Sequence, residues 1–180
     1  GEKNKEYGTI GLPIPAYVNA AHKNGARALG EYFVPRTLQY TEEWLYEDEN
    51  GNFPYAQKLI DIMNYYGFDG YFINQESGCY IEKIPLFKKM LAWMRSKGCY
   101  IQWYDSLIDN GSVSYQNEFN SKNKSWILDD TYGRVTDSIF LNNWNNKDML
   151  HSSASYAKSI GLNPLETVFF GVEGGQWRWS

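Results

Sequence analysis

Asn74 and Glu76 are the residues best placed to do chemistry. They close the stretch Gly67-Phe68-Asp69-Gly70-Tyr71-Phe72-Ile73-Asn74-Gln75-Glu76, which opens on a helix-stopping glycine and continues through aromatic and β-branched residues. Such a run reads as a buried strand of about five or six residues. Strand side chains alternate between faces, so Phe72, Asn74 and Glu76 share one face and Tyr71, Ile73 and Gln75 the other. A carboxylate that can give and take a proton then stands beside a carboxamide that can orient a polar group. Both sit where the strand runs out, at the C-terminal end on which α/β sheets carry their active sites. Taken alone, the same Asn-x-Glu pattern also fits a buried polar network or a loop anchor.

The flanking elements must hold that strand in a sheet. Residues 14–24 read as a helix begun by Pro13 and Pro15 and closed by Gly25. A strand follows over 26–34, ended by Pro35, and then a polar and aromatic loop over 36–52. The acidic run Glu47-Asp48-Glu49 in that loop reads as solvated surface rather than a metal site. A helix over 55–66 places Leu59, Ile60, Met63 and Tyr66 at helical spacing and stops at Gly67. Beyond the Asn-x-Glu strand come helix 84–96, strand 99–104, a helical segment over 117–128, strand 138–144, helix 148–160 and strand 167–172. On this reading the chain starts with a helix, and five strands alternating with helices make one parallel α/β sheet. No break in composition marks a second domain. Asp69 reads as an anchor at the start of its strand, and His22 as structural.

Composition narrows the function. A net charge of -4 and a pI near 5.2 leave no basic footprint, so nucleic acid is not an expected partner. No apolar run nears the ~20 residues of a membrane-spanning helix. There is no glycine-rich phosphate loop and no Cys/His/Asp cluster at metal-ligand spacing, so neither cofactor nor metal is expected. Cys79 follows the end of one strand and Cys99 opens the next, about a strand length apart (~15–20 Å). That exceeds the ~7 Å Cα limit for a bridge, so two free thiols are expected. Seven Trp, fifteen Tyr and nine Phe are many, and several fall near strand ends, where rings line clefts and stack on flat apolar faces such as those of sugars.

Phe68-Asp69-Gly70-Tyr71-Phe72-Ile73-Asn74-Gln75-Glu76 closely resembles the catalytic motif of glycoside hydrolase family 85. These are the endo-β-N-acetylglucosaminidases that cut the di-N-acetylchitobiose core of N-glycans. Ala20-Ala21-His22-Lys23-Asn24-Gly25 leading to Leu29-Gly30 is similar to that family's helix and second strand. Ile101-Gln102-Trp103-Tyr104-Asp105-Ser106 resembles its fourth strand, and Ile139-Phe140-Leu141-Asn142-Asn143-Trp144 its fifth. The resemblance runs from about Leu12 to Gly175. It implies a TIM-type (β/α) barrel, of which this chain covers about five strands, the second to the sixth, with residues 1–180 part of one catalytic domain.

The resemblance also implies a chemistry. Most glycosidases use two carboxylates, but in substrate-assisted enzymes the substrate's 2-acetamido oxygen is the nucleophile. Glu76 would then be acid and base, and Asn74 would orient the acetamide, with an oxazoline intermediate and scope for transglycosylation. Tyr104, on the strand face of Gln102, would hydrogen-bond at the acetamide or the intermediate. Trp144, on the face with Asn142, would supply a stacking wall. Asn142, Trp103, Gln102 and Glu173 complete the candidate substrate contacts. Glu173 lies where the family tends to carry Gly-x-Asp and this chain has Gly171-Val172-Glu173-Gly174-Gly175-Gln176, so the resemblance gives it no role. The implied partner is an N-glycan or glycoprotein. The implied compartment is cytoplasmic for a eukaryotic source and extracellular or cell-surface for a bacterial one.

Two other readings stay open. A carbohydrate-binding module would use the aromatics and polar strand ends without turnover. A chitinase-like barrel hydrolase would resemble Asp-x-x-Asp-x-Asp-x-Glu on its catalytic strand, where this chain has Asn74 two positions before Glu76. A closed eight-stranded barrel typically takes ~250 residues. The remaining strands are therefore expected from further chain or a companion fragment, with Phe72, Phe140 and Phe170 facing the barrel interior.

Overall fold

The computed structural model describes residues 8–34 and 44–172. Strands β1 (Thr9–Gly11), β2 (Leu29–Phe33), β3 (Gly70–Asn74) and β4 (Tyr100–Tyr104) precede a small separate hairpin, β5 (Leu128–Asp129) and β6 (Gly133–Arg134). β7 (Ser138–Leu141) and β8 (Val168–Phe170) return to the main sheet, whose six strands run β1-β2-β3-β4-β7-β8. From β2 to β8 every pair is parallel, while β1 pairs antiparallel with β2. The described chain thus opens with a strand, not a helix: three residues are too few to show a period.

The helices start and stop where local chemistry dictates. α1 (Pro15–Lys23) and α2 (Pro54–Tyr66) each open on a proline, whose missing N–H would have had no partner in the first turn. α2 ends at Gly67, φ 73°, whose N–H closes on the Met63 carbonyl. α3 (Ile84–Ser96) sends Phe87, Leu91 and Met94 into the core. α4 (Lys147–Ser159) is capped by the Asn146 side chain, and the short α5 (Pro164–Thr167) by Asn163.

One face of the sheet is buried beneath these helices. Tyr32, Tyr71, Ile73, Ile101, Trp103, Ile139 and Leu141 join Leu59 and Met63 of α2 and Phe87, Leu91 and Met94 of α3 in a single core. The Tyr71 hydroxyl donates to the Leu59 carbonyl at 2.7 Å and so ties β3 to α2. The opposite face carries Glu31, Phe72, Asn74, Gln102, Tyr104, Phe140 and Phe169, all half-buried or exposed. Phe140 pairs with Phe169, so Phe169 rather than Phe170 stands on that face, and Phe170 packs on the core.

Residues 117–128 are not a helix. Among them only Lys124–Trp126 makes a 3-10 turn, because Asn and Asp side chains bind the backbone of this segment instead. Asp69 anchors the start of β3: its Oδ2 accepts the Ala28 N–H at 2.7 Å and lies 2.9 Å from His22 Nε2. Asp48 closes a surface turn on the N–H groups of Asn50 and Asn52, and Glu47 pairs with Lys89. Cys79 and Cys99 are free and buried, and burial pushes their thiols up to about 11 and about 12. No helix among the described residues is long and apolar enough to cross a membrane, and no group of three or more His, Cys, Asp or Glu among them could hold a metal ion.

β3 starts at a glycine for a steric reason. A Cβ on Gly70 would lie 1.9 Å from the Tyr100 carbonyl oxygen, so the backbones of β3 and β4 pair only because none is there. Gly70→Ala is expected to destabilise the fold by about 1–3 kcal/mol or more, the range of overpacking. Scanning calorimetry checks this through a lowered Tm; an unchanged Tm would show that the two strands have room to part.

Candidate active site

β3 is paired on both edges, so the direction of each of its side chains is fixed. Asn74 is its last residue, and the Asn74 carbonyl accepts the Val34 N–H at 3.1 Å. The Asn74 side chain donates from Nδ2 to Oε1 of Glu31, 2.7 Å away on β2. A carboxylate only accepts, so the amide must turn its NH2 toward Glu31 and its Oδ1 the other way. That Oδ1 is shielded from water and has no partner among the described residues. Gln75, next along, is buried and donates to the Ser77 carbonyl, while its own carbonyl accepts the Ser106 hydroxyl. This fixes the turn between Asn74 and Glu76 and ties it to the end of β4. Glu76 follows, half-buried.

Tyr104 ends β4 beside this pair. Its ring packs on Phe72 at 5.7 Å, Tyr115 at 5.8 Å and Phe140 at 6.2 Å, and Phe72 meets Phe140 edge-on at 5.6 Å. The Tyr104 hydroxyl donates to Asn142 Oδ1 at 3.4 Å. Burial pushes this phenol up to about 12, and Tyr115, Glu76 and Asp105 add to the rise, so Glu76 lies within electrostatic reach of it. A phenol so placed remains a hydrogen-bond donor at neutral pH. Behind it, buried Asp105 accepts from the N–H groups of Gln116 and Asn117 at 3.1 and 2.7 Å and from the Asn123 amide at 3.0 Å. Burial raises its carboxyl above the usual range, against the pull of those hydrogen bonds. Asp105 is the post around which the segment after β4 folds.

The candidate residues divide accordingly. Asn74, Glu76, Tyr104 and Asn142 come together at the C-terminal ends of β3, β4 and β7. Gln102 lies on the same face one layer deeper, where its amide donates to Ser138 Oγ at 3.2 Å. Trp103 does not belong to the site. The period of two turns it to the helical side, where it is fully buried and stacked on Trp126 at 4.2 Å and 8°. Trp144 stands in the loop after β7, 74% exposed, and stacks on no ring among the described residues. Glu173 lies outside the described residues. Glu31 was missed: its bond to Asn74 spans 43 residues of sequence and depends on the β2–β3 register. A cleft of about 760 Å³ lined by Arg27, Arg95 and Arg134 lies at the opposite, N-terminal ends of the strands. Its arginines are engaged by Tyr100, by Asp137 and by backbone carbonyls.

A model of the family described as Glycosyl hydrolase family 85 matches residues 6–178. The chain belongs to glycosyl hydrolase family 85. Among its relatives, the cytosolic endo-beta-N-acetylglucosaminidase of Danio rerio is 29% identical over 172 residues, covering 91% of this chain and 23% of the relative. Cytosolic endo-beta-N-acetylglucosaminidase 2 of Arabidopsis thaliana is 26% identical over 182 residues, covering 93% and 25%. The glycoside hydrolase domain of Endo-D from Streptococcus pneumoniae R6 superposes with a TM-score of 0.74 at 29% identity, covering 90% of this chain and 27% of that one. The chain therefore spans about a quarter of the length of these relatives.

The raised Tyr104 value has a measurable consequence. A difference titration of phenolate absorbance between the unsubstituted protein and Tyr104→Phe should show one group ionising at about 12. A folded-state value above the unfolded value of about 10 favours the folded state below pH ~10, and that contribution is lost as pH rises through the folded value. A group ionising near 10 would mean that Tyr104 is open to water.

Proposed function

We propose that this chain forms the catalytic part of an endo-β-N-acetylglucosaminidase. The enzyme hydrolyses the GlcNAc-β-1,4-GlcNAc core of N-glycans on glycoproteins with the substrate's acetamide as nucleophile. The observation that carries the reading is the end of β3, where Asn74 Oδ1, shielded and without a partner among the described residues, stands two residues before Glu76. An orphaned acceptor out of water costs about 1–3 kcal/mol. A substrate acetamide N–H that reached it would satisfy it. Family membership, and the endo-beta-N-acetylglucosaminidase activity for which its relatives are named, support the same substrate class.

In this reading Glu76 protonates the glycosidic oxygen as the C1–O bond breaks. The acetamide oxygen closes on C1 from the opposite face and forms the protonated oxazoline (oxazolinium), while Asn74 Oδ1 accepts its N–H and keeps that oxygen aimed. Tyr104 donates its phenol hydrogen at the acetamide. Glu76, now ionised, takes a proton from water as the water oxygen attacks C1 and the C1–O bond to the acetamide oxygen breaks, which restores the acetamide with the β configuration retained. A sugar hydroxyl in place of water gives transglycosylation. A binding module has no use for the acid, because setting a carboxylate in a partly desolvated site has a cost that binding alone does not offset. The sheet fits the second to sixth strands of a (β/α) barrel, with β2, β3, β4, β7 and β8 in those places and residues 1–180 within one catalytic domain. The parallel strand order and the Endo-D superposition support that placement.

Release of an intact N-glycan by the full-length protein tests the substrate. Glu76→Gln should lower kcat by ~10²–10⁴-fold, the usual loss on removing a general acid, while glycan binding persists. More than about a tenth of wild-type kcat would refute the assignment. Asn74→Ala should hydrolyse glycoprotein poorly yet still transfer from a sugar oxazoline to a GlcNAc acceptor, because that donor has the aligned step already completed. Equal loss on both donors would rule out the role given to Asn74.

A further inference from the structure

We infer that Glu31 is a positioning residue for Asn74, holding its amide in the one orientation that presents Oδ1 to the substrate. The inference rests on the function proposed above. An isolated carboxamide can turn by 180° and exchange its oxygen for its NH2. An NH2 facing the substrate's acetamide N–H would set donor against donor, so one of the two orientations is unproductive. The Glu31 carboxylate, 2.7 Å from Nδ2, removes that orientation because it can only accept. Hydrogen bonding of Nδ2 to a negative charge also polarises the amide and makes Oδ1 a better acceptor.

Reach and room single out glutamate at this position. Glu31 pairs with Phe72 and Phe33 with Asn74, so Glu31 meets Asn74 on the diagonal of the β2–β3 pair. Diagonal neighbours are about 7–8 Å apart at their backbones and meet only through long side chains. Asp, one methylene shorter, would not close the gap. On the other edge of β2, Glu31 faces Gly11 of β1. A Cβ on Gly11 would come 3.3 Å from Glu31 Cβ and 3.5 Å from its Oε2, so the absence of a side chain there leaves the carboxylate its place.

The test uses the full-length enzyme, N-glycoprotein as substrate and a sugar oxazoline as the donor that bypasses cyclisation. Glu31→Ala and Glu31→Asp should each lower kcat on the glycoprotein by about tenfold or more, the scale of one charge-assisted hydrogen bond, with KM nearly unchanged. Glu31→Gln, which keeps the reach and an acceptor oxygen but loses the charge and can also donate, should recover only part of the rate. Oxazoline turnover should stay at its wild-type value in all three, since that donor bypasses the step Asn74 aligns, and this also shows that the variants are folded. Adding Glu31→Ala to Asn74→Ala should cost nothing further, because the two act as one unit. Additive losses, parallel loss on both donors, or a wild-type rate in Glu31→Ala would each overturn the inference. If the unsubstituted enzyme releases no N-glycan, it is the functional reading that fails, and the role of Glu31 falls with it.

Discussion

The side-chain alternation of β3 is the constraint on which the rest depends. Parallel pairing with β2 and β4 leaves the strand no freedom to rotate or slide. A slip of one residue would send every side chain to the other face. Asn74 would enter the core, while Tyr71 and Ile73, fully buried now, would come out into water. Burial of an unsatisfied polar group costs about 1–3 kcal/mol, and each large apolar side chain lost from the core about 1.5–3 kcal/mol more. Stability and chemistry thus select one register. Gly70 fixes its origin by admitting the Tyr100 carbonyl, and the Tyr71 hydroxyl pins it to α2.

The polar residues at the C-terminal end of the sheet are joined across strands. Asn74 reaches back to β2 through Glu31, Tyr104 forward to the end of β7 through Asn142, and the Gln75 carbonyl to the start of the β4 loop through Ser106. Asp105 gathers the segment that follows β4 and keeps Tyr115 against Tyr104. Each link is a single hydrogen bond of modest net value. Together they hold side chains that lie far apart in sequence, which is what a site that must align an internal nucleophile requires.

Much of this was legible in the sequence, for identifiable reasons. α2 and α3 announce themselves by helical spacing between a proline and a glycine, and β3 by its aromatic and β-branched run. Asn74 could be placed on the face of Phe72 because a period of two needs no tertiary information, whereas Glu76 lies beyond the last residue of β3. The same rule, applied to β4, separates Trp103 from Tyr104 and places the tryptophan in the core; counting an aromatic strand end as substrate-facing on composition alone overlooked it. Phe170 and Phe169 were exchanged because β8 is only three residues long and its register is set by pairing with β7. The segment over 117–128 has helix-compatible residues, yet buried Asp105 takes its N–H groups. Glu31 had no local signal at all: a lone acidic residue inside a strand acquires meaning only from the neighbour that register brings to it.

The central claim is that the substrate's own acetamide oxygen, aimed by Asn74, performs the displacement while Glu76 supplies the proton. The most direct measurement compares kcat across N-glycan substrates whose reacting 2-acetamido group is replaced in turn by mono-, di- and trifluoroacetamido. Fluorine withdraws electrons from the carbonyl oxygen without altering the leaving group. The account predicts a progressive fall totalling about tenfold or more, at least ~1.4 kcal/mol of barrier, from acetyl to trifluoroacetyl. Rates that stay level across the series would contradict it.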